Sequence, residues 1–268
     1  MYYEEENMSE IKLKVLNKDG HTLSSSDYGK NVFLVHTASY EEGDHICLET
    51  DAPEVFCKIQ LEDSMPQTLI LLKDSSTKFE IPFGSKKLCY SPKSFTGTRH
   101  LITGEIAEPS QISARRNLAF NPYDRPENNN VFPHASANIE TRGESVFMAR
   151  NTIDGVFANS SHGEYPYHSW GINKRADAEL KVEFGAVVEL DEIRLTLRAD
   201  FPHDNYWTQA TLFFSEGEPE TIKLAKTHLP QSFSINRRTE WVKLSQLIQS
   251  SEPSPFPALT QFEAFGII

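Results

Sequence analysis

Short runs in which apolar and polar residues alternate recur along the N-terminal part of the chain. They span residues 11–15, 31–35, 45–48, 55–61, 68–72 and 78–82. A period of two places every second side chain on one face of a strand, so one face is buried. Polar, turn-forming segments separate the runs, and no helical periodicity is sustained. The pattern is typical of an antiparallel sandwich or barrel.

The same alternation returns in the second half of the chain. Leu180, Val182 and Phe184 alternate with charged residues, as do the apolar residues of segment 193–197. Later runs cover residues 211–214, 221–224, 232–235, 240–244 and 260–265. Each such strand has one face for the core and one polar face.

The pattern loosens over residues 94–142, where segment 117–130 is rich in Asn and Pro. A chain of 268 residues is long for one core and short for three. We therefore predict an all-β protein of two β-sandwich domains. Residues 1–110 form an N-terminal domain of unknown role, and residues 111–268 form a second domain.

Composition and charge narrow the classes of partner. The hydrophobic content of 38% is typical of a globular protein. A formal net charge of -12 would repel a phosphate backbone or an anionic bilayer, so we expect no nucleic acid and no membrane as partner. The three cysteines have no CxxC spacing, which favours buried free thiols. The acidic N-terminus lacks a secretory signal, so the chain is expected to be cytoplasmic, or extracellular if the sequence is incomplete.

Several motifs in the second half occur in a characteristic order. They are Asn117-Leu118-Ala119, Ala135-Ser136-Ala137, Ile153-Asp154-Gly155, Ser169-Trp170, and the strand segments 180–185 and 260–266. Over residues 117–266 the set resembles discoidin domains (coagulation factor 5/8 type C), and among these the family-32 carbohydrate-binding modules. The resemblance implies a jelly-roll β-sandwich that binds the terminal sugars of glycans and has no catalytic activity.

The resemblance also implies a structural calcium ion. In that family the Ile-Asp-Gly turn holds Ca²⁺ through backbone carbonyls, the turn aspartate and a glutamate of the closing strand. The corresponding ligands here are Asp154 and Glu263, and Ca²⁺ prefers such oxygen donors. The alternative is that Asp154 caps the turn and Glu263 is a solvated strand residue. A long insert at 156–168, before Trp170, departs from the family pattern.

The densest polar and aromatic cluster is segment 198–207, which contains a guanidinium, two carboxylates, an imidazole, an amide and two aromatic rings. Hydrogen-bonding groups beside an aromatic face suit sugar hydroxyls and the C–H face of a pyranose ring. By the resemblance, Arg198 and Asn205 bind sugar hydroxyls. The further predicted ligand-binding residues are His168, with Tyr165 or Tyr167 as a stacking platform, and His203, Asp204 and Trp207.

Alternatives remain open at this point. Arg198 could form ion pairs within a structural loop, with Asp200 or Asp204. A second hypothesis is a glycan-active hydrolase or lyase that uses Asp200, His203 and Asp204, although no catalytic motif supports it. A third is a protein-interaction sandwich, and a homodimer is also open. The proline-rich segment 252–258 is predicted to be a rigid loop with a structural role.

Overall fold

The computed structural model describes residues 9–159, 162–199 and 205–268. The chain divides into two compact units. The first comprises the chain up to Phe83 together with Lys93–Pro109, and the second comprises Gly84–Pro92 and Ser110–Ile268. Within the described part, no helix has the length and apolarity needed to cross a bilayer.

The first unit is built from antiparallel strands. They are β1 (Ile11–Leu16), β2 (Thr22–Ser25), β3 (Asn31–His36), β4 (His45–Thr50), β5 (Val55–Gln60), β6 (Thr68–Leu72), β7 (Ser76–Glu80) and β8 (His100–Ile106). One sheet has the order β2-β1-β4-β7, and in another the strands of this unit follow the order β6-β5-β8-β3. All six predicted runs form strands, whereas β2 and β8 were not predicted.

The second unit contains the remaining strands and several single helical turns. The strands are β9 (Arg116–Asn117), β10 (Val131–Phe132), β11 (His134–Ala137), β12 (Trp170–Gly171), β13 (Leu180–Leu197), β14 (Trp207–Phe214), β15 (Glu220–Lys223), β16 (Gln231–Gln249) and β17 (Ala258–Ile267). A four-residue helix, α1 (Pro109–Ile112), and 3-10 turns at Gly84–Cys89, Thr141–Gly143, Ser145–Phe147 and Ala149–Thr152 complete the elements. An all-β fold is confirmed.

Strands β13 and β16 are the longest strands of the second unit and lie side by side in the middle of its sheet. The sheet has the order β12-β17-β13-β16-β14-β15, with β11 also paired to β13 and β9 to β17. Both long strands are bent, because their register shifts between Glu183 and Val188 and again between Leu190 and Glu192. Gly185, at the first shift, has a φ of 72°, which an L side chain rarely adopts. The sheet therefore folds around one core.

The bend explains why the sequence predicted two short strands where the structure has one. Leu180, Val182 and Leu190 are buried at even positions, but Ile193 and Leu195 are buried at odd positions. Relative to β17, the bulge at 190–192 inserts one residue into β13 and changes the parity of its buried face. The core also contains Trp170 and Trp207, whose rings lie 6.1 Å apart. Cys47, Cys57 and Cys89 are free and buried, as predicted.

Candidate functional site

Arg198 follows the end of β13 and holds two neighbouring segments in place. Its side chain is completely buried, and one guanidinium nitrogen donates to the backbone carbonyl of Tyr167. Its backbone N–H donates to the carbonyl of Ala258, at 2.9 Å. Arg198 thus joins the loop before β12 to the start of β17. The guanidinium does not reach the surface in this structure, so a contact of Arg198 with a sugar stays a prediction.

Asn205 is bonded through both ends of its amide. Its nitrogen donates to the carbonyls of Glu252 and Ser254, at 2.9 and 2.5 Å. Its oxygen accepts from the Tyr206 backbone N–H and the Ser250 hydroxyl, at 2.7 and 2.6 Å. The side chain has no exposed surface. Its hydrogen-bonding capacity is therefore used on segment 250–254, and its predicted role toward a sugar remains untested.

The predicted aromatic and histidine residues lie at different depths. His168 is buried, and its ring stacks on that of Tyr165, with centroids 5.6 Å apart. Tyr167 is buried, whereas Tyr165 is half-buried, and burial raises the pKa of both phenols. Trp207 lies in the core against Trp170. Of these predicted residues, Tyr165 has the most access to solvent.

Three residues of the sequence-based hypotheses lie outside the described residues. They are His203 and Asp204, predicted to bind ligand, and Asp200, which the enzyme hypothesis uses with them. Their roles stay predictions.

The Ile153-Asp154-Gly155 turn contains the aspartate predicted to bind calcium. The Asp154 carboxylate accepts from the Val156 backbone N–H at 2.9 Å, the Gln261 amide at 2.8 Å and the His168 ring at 2.7 Å. Glu263, the other predicted ligand, is opposite Arg194 on β13. Burial raises the pKa of Glu263, and the charge of Arg194 opposes this shift.

The residues around Asp154 differ from the predicted set of calcium ligands. In the described parts of the chain, no three or more His, Cys, Asp or Glu side chains are grouped so that they could hold a metal ion. The structure places Gln261, and not Glu263, against the Asp154 carboxylate. Calcium at Asp154 and Glu263 therefore rests on the sequence resemblance alone.

Arg150 lies next to the Ile153-Asp154-Gly155 turn and bonds to the chain around it. Its guanidinium is buried and donates to the carbonyls of Asp124 and Pro122, at 2.8 and 2.7 Å, and to the Asn151 side chain at 3.1 Å. Although burial opposes the charged form, the pKa of Arg150 is raised by nearby ionisable groups, including the carboxylates of Asp154 and Asp124. A permanent cation therefore lies near the turn.

A cavity of about 140 Å³, here called the loop cavity, lies where the residues just after β12 meet the start of β17. It is lined by Thr141, Arg142, Phe147, His162, Gly171, Ile172, Asn173, Lys174, Pro255, Phe256, Pro257 and Ala258. The Phe147 ring is buried, whereas Phe256 is 45% exposed. The His162 ring stacks near Phe147, with centroids 6.4 Å apart. The cavity thus presents aromatic surface to solvent.

Polar groups of the loop cavity are held in unusual backbone conformations. Arg142, Asn173 and Lys174 have φ values of 55°, 48° and 60°, in the left-handed region. Non-glycine residues adopt this region at a cost, and such strain occurs often at functional sites. The Thr141 hydroxyl accepts from the Asn173 backbone N–H at 2.9 Å, which fixes the turn.

Two cations line the loop cavity, and among the described residues only one of them has a carboxylate partner. Arg142 forms a bidentate pair with Glu144, at 2.5 and 2.8 Å, which raises the pKa of Arg142 and lowers that of Glu144. The ammonium of Lys174 lies 4.8 Å from the centroid of the Phe256 ring. No ion pair to a described residue involves Lys174. This amine can therefore meet a ligand.

Sequence reasoning did not identify this cavity. The proline-rich segment was predicted to be structural, yet Pro255, Phe256 and Pro257 form part of the wall. The segment after the Ile-Asp-Gly turn was predicted to contribute a histidine to the sugar site, and from this segment His162, not His168, lines the cavity. The available signal was an aromatic residue between two prolines, which stiffen the chain and hold the ring outward.

Comparisons with known proteins give a structural likeness only. No protein-family profile matches the sequence, and comparison with curated proteins gave no match. Among solved structures, chitosan-binding module 1 from a chitosanase/glucanase of Paenibacillus sp. IK-5 is 18% identical, with a TM-score of 0.37, and the match covers 56% of this chain and 99% of that one.

Two further solved structures show the same level of similarity. The family 32 carbohydrate-binding module from C. perfringens NanJ, in complex with galactose, is 17% identical, with a TM-score of 0.38 and coverage of 49% and 91%. A fucose-binding module from Streptococcus pneumoniae is 12% identical, with a TM-score of 0.39 and coverage of 57% and 99%. These TM-scores are too low to carry an argument about function. The solved structures that this chain resembles in fold thus include carbohydrate-binding modules of the family-32 and discoidin-like kind.

Proposed function

We propose that this chain binds a glycan in the loop cavity and that the binding is non-catalytic. The observation that supports this most is the exposed ring of Phe256 beside the amine of Lys174 and the amide of Asn173. An aromatic face packs on the C–H face of a sugar ring, while donors and acceptors at its edge bind the hydroxyls. The cavity combines both features in a small space.

The size of the loop cavity favours the end of a glycan. Pockets for drug-sized ligands measure about 300–1,000 Å³, whereas this cavity measures about 140 Å³. One sugar ring is therefore the largest part of a glycan that it would enclose, and the remaining rings would extend into solvent. With so little surface buried, the affinity is expected to be weak, about micromolar to millimolar.

The lining supports binding rather than hydrolysis. Glycoside hydrolysis needs two carboxyl groups on opposite sides of the scissile bond. The described residues that line the cavity include no Asp or Glu. The solved structures that resemble this chain include modules described as binding chitosan, galactose and fucose. The proposal that this chain binds a glycan rests on the lining of the loop cavity and not on those structures.

Arg198 and Asn205 belong to this proposal as residues that shape the cavity. Arg198 bonds to the backbone at Tyr167 and Ala258, and Asn205 bonds to the backbone of segment 250–254. Ala258 itself lines the cavity, and Pro255 follows the segment that Asn205 holds. Both residues therefore fix backbone that forms or adjoins the cavity wall, while other residues line the cavity.

A glycan array with the purified full chain tests the proposal. A sugar that binds would then be titrated against wild type and Phe256→Ala by calorimetry. Loss of the exposed ring is expected to weaken binding about tenfold, because stacking contributes on the order of 1 kcal/mol. Since Phe256 is 45% exposed, its replacement should leave the thermal unfolding temperature nearly unchanged.

The matched control is Leu229→Ala, which removes an exposed apolar side chain that does not line the cavity. It should bind the same sugar as wild type does. No binding to any glycan at high protein concentration would contradict the proposed function. If Phe256→Ala and wild type bind the sugar with equal affinity, the glycan site lies outside the loop cavity.

A further inference from the structure

The Ile153-Asp154-Gly155 turn surrounds a single nitrogen atom with oxygens. The Nε2 atom of Gln261 lies 2.8 Å from the Asn151 carbonyl, 2.8 Å from Oδ1 of Asp154 and 3.3 Å from the Val156 carbonyl. The carbonyl of Thr260 is 2.7 Å away. All five residues belong to the second unit. Four oxygens from two segments of the chain thus converge on one atom.

The contacts fix the orientation of the Gln261 amide. Its oxygen accepts from the Gly155 backbone N–H at 2.9 Å, so the opposite end must be the nitrogen. An amide nitrogen has two hydrogens to donate, yet four acceptor oxygens lie within 3.3 Å. A set of backbone carbonyls with one carboxylate oxygen around a single point is the kind of ligand set that a hard cation uses.

The surrounding charges favour a neutral donor at this point. The second oxygen of Asp154 accepts from His168, and its first oxygen accepts from Val156 as well as from Gln261. The guanidinium of Arg150 lies close enough to interact with Asp154 electrostatically. A divalent ion would add two positive charges beside this buried cation, with Asp154 as the acidic ligand that contacts the centre of the turn. The amide satisfies the same oxygens without that repulsion.

We propose that the side-chain amide of Gln261 occupies the position of a cation, so that the second unit folds without bound calcium. This differs from the calcium ligands that the sequence resemblance implied, Asp154 and Glu263. Gln261 joins the turn to the closing strand β17 by hydrogen bonds, as a metal ion would by coordination. The proposal concerns the turn and is independent of the glycan-binding proposal.

Substitution of Gln261 by glutamate tests the proposal directly. Gln261→Glu keeps the length of the side chain and supplies a second carboxylate beside Asp154. In the presence of a chelator, we expect this variant to unfold at a temperature lower by about 5 °C or more, because the carboxylate oxygen that replaces Nε2 faces four acceptor oxygens. Calcium chloride should restore the loss, and calorimetry should show one calcium ion bound per chain.

Wild type is the decisive comparison, and Gln246→Glu is the matched control. Gln246 is exposed on β16, so the same change of charge occurs away from the turn. We expect wild type to unfold at the same temperature in calcium chloride as in chelator, and we expect the same of Gln246→Glu. Elemental analysis of the purified wild type should find no stoichiometric calcium.

Two results would overturn the proposal. One is a wild-type chain that binds calcium or gains thermal stability from it, which would mean that Gln261 moves aside or acts as a ligand. The other is a folded Gln261→Glu variant that binds no calcium, because the oxygens would then not form a cation site. If Gln261→Glu does not fold, the measurements on wild type decide the question alone.

Discussion

The Nε2 atom of His168 lies 2.7 Å from Oδ2 of Asp154, and both side chains are buried. The ring nitrogen must carry its hydrogen, because a carboxylate only accepts. The other ring nitrogen, Nδ1, is buried without a hydrogen-bond partner among the described residues. His168 was predicted to contact a sugar, and the structure places it against the turn.

Replacement of His168 by alanine is expected to destabilise the second unit. It removes one of three donors to a buried carboxylate, which costs about 1–3 kcal/mol in the free energy of unfolding. All three tryptophans, at positions 170, 207 and 241, belong to this unit, so their fluorescence follows its unfolding in urea. His162→Ala, at an exposed histidine, should change the midpoint little. An unchanged midpoint for His168→Ala would contradict the buried contact.

The stability of the second unit should depend on pH through His134. Its Nδ1 atom lies 2.8 Å from the Asp124 carboxylate. Burial lowers the pKa of His134, but the hydrogen bond and the charge of Asp124 outweigh it, so the pKa is raised above 6.5. The stabilisation is therefore complete below pH about 6.5 and is lost as pH rises through the folded-state pKa.

Urea titrations at pH about 6 and about 8 measure this effect. The tryptophan signal of wild type should show lower stability at the higher pH, relative to His134→Gln. In the first unit, burial lowers the pKa of His36, which acts in the opposite direction. Comparison of wild type with the variant cancels that contribution. An identical pH dependence in both proteins would show that His134 does not titrate in this range.

Arg150 is expected to be among the most sensitive positions in the second unit. Arg150→Met keeps much of the side-chain volume but removes the donors to the Asp124 and Pro122 carbonyls. Loss of a buried charge from such a network costs about 3–5 kcal/mol. Arg175→Met is the control, because Arg175 forms an exposed pair with Asp177, and such pairs contribute less than about 1 kcal/mol. Similar losses in both variants would contradict the network.

The stability and the glycan affinity of an Asn205 variant together show whether Asn205 shapes the cavity or contacts the ligand. Asn205→Ala removes the hydrogen bonds to segment 250–254, so a loss of about 1–3 kcal/mol in stability should accompany weaker glycan binding. Phe256→Ala should weaken binding at nearly unchanged stability. If Asn205→Ala loses binding but keeps full stability, Asn205 contacts the sugar directly.

The positive charge of Lys174 predicts a preference for acidic over neutral sugars. Its amine has no carboxylate partner among the described residues, so a sugar carboxylate could pair with it. Lys174→Met should weaken binding of a uronic acid more than that of the matching neutral sugar, and added salt should reduce the difference. Titration of both sugars into both proteins checks this. Equal losses for the two sugars would exclude a charge interaction with Lys174.

The alternation of apolar residues determined the strands, because a period of two can bury only one face of an extended chain. All six N-terminal runs became strands in this way. The strand β8 was missed because its apolar and polar residues alternate less regularly, with Gly104 near its end. The joining of two predicted runs into β13 was also missed, since the bulge beyond Leu190 reverses the parity of the buried positions.

The sequence by itself determined an all-β chain and pointed to the turn at Asp154 and the loops after it. Only the tertiary structure decided what those residues meet, because Arg198 contacts Tyr167 across 31 positions and Asn205 contacts Glu252 across 47. It also placed Gln261, from the closing strand, at the turn. A side chain that suits a ligand also suits a backbone carbonyl, and long-range packing decides which of the two it bonds.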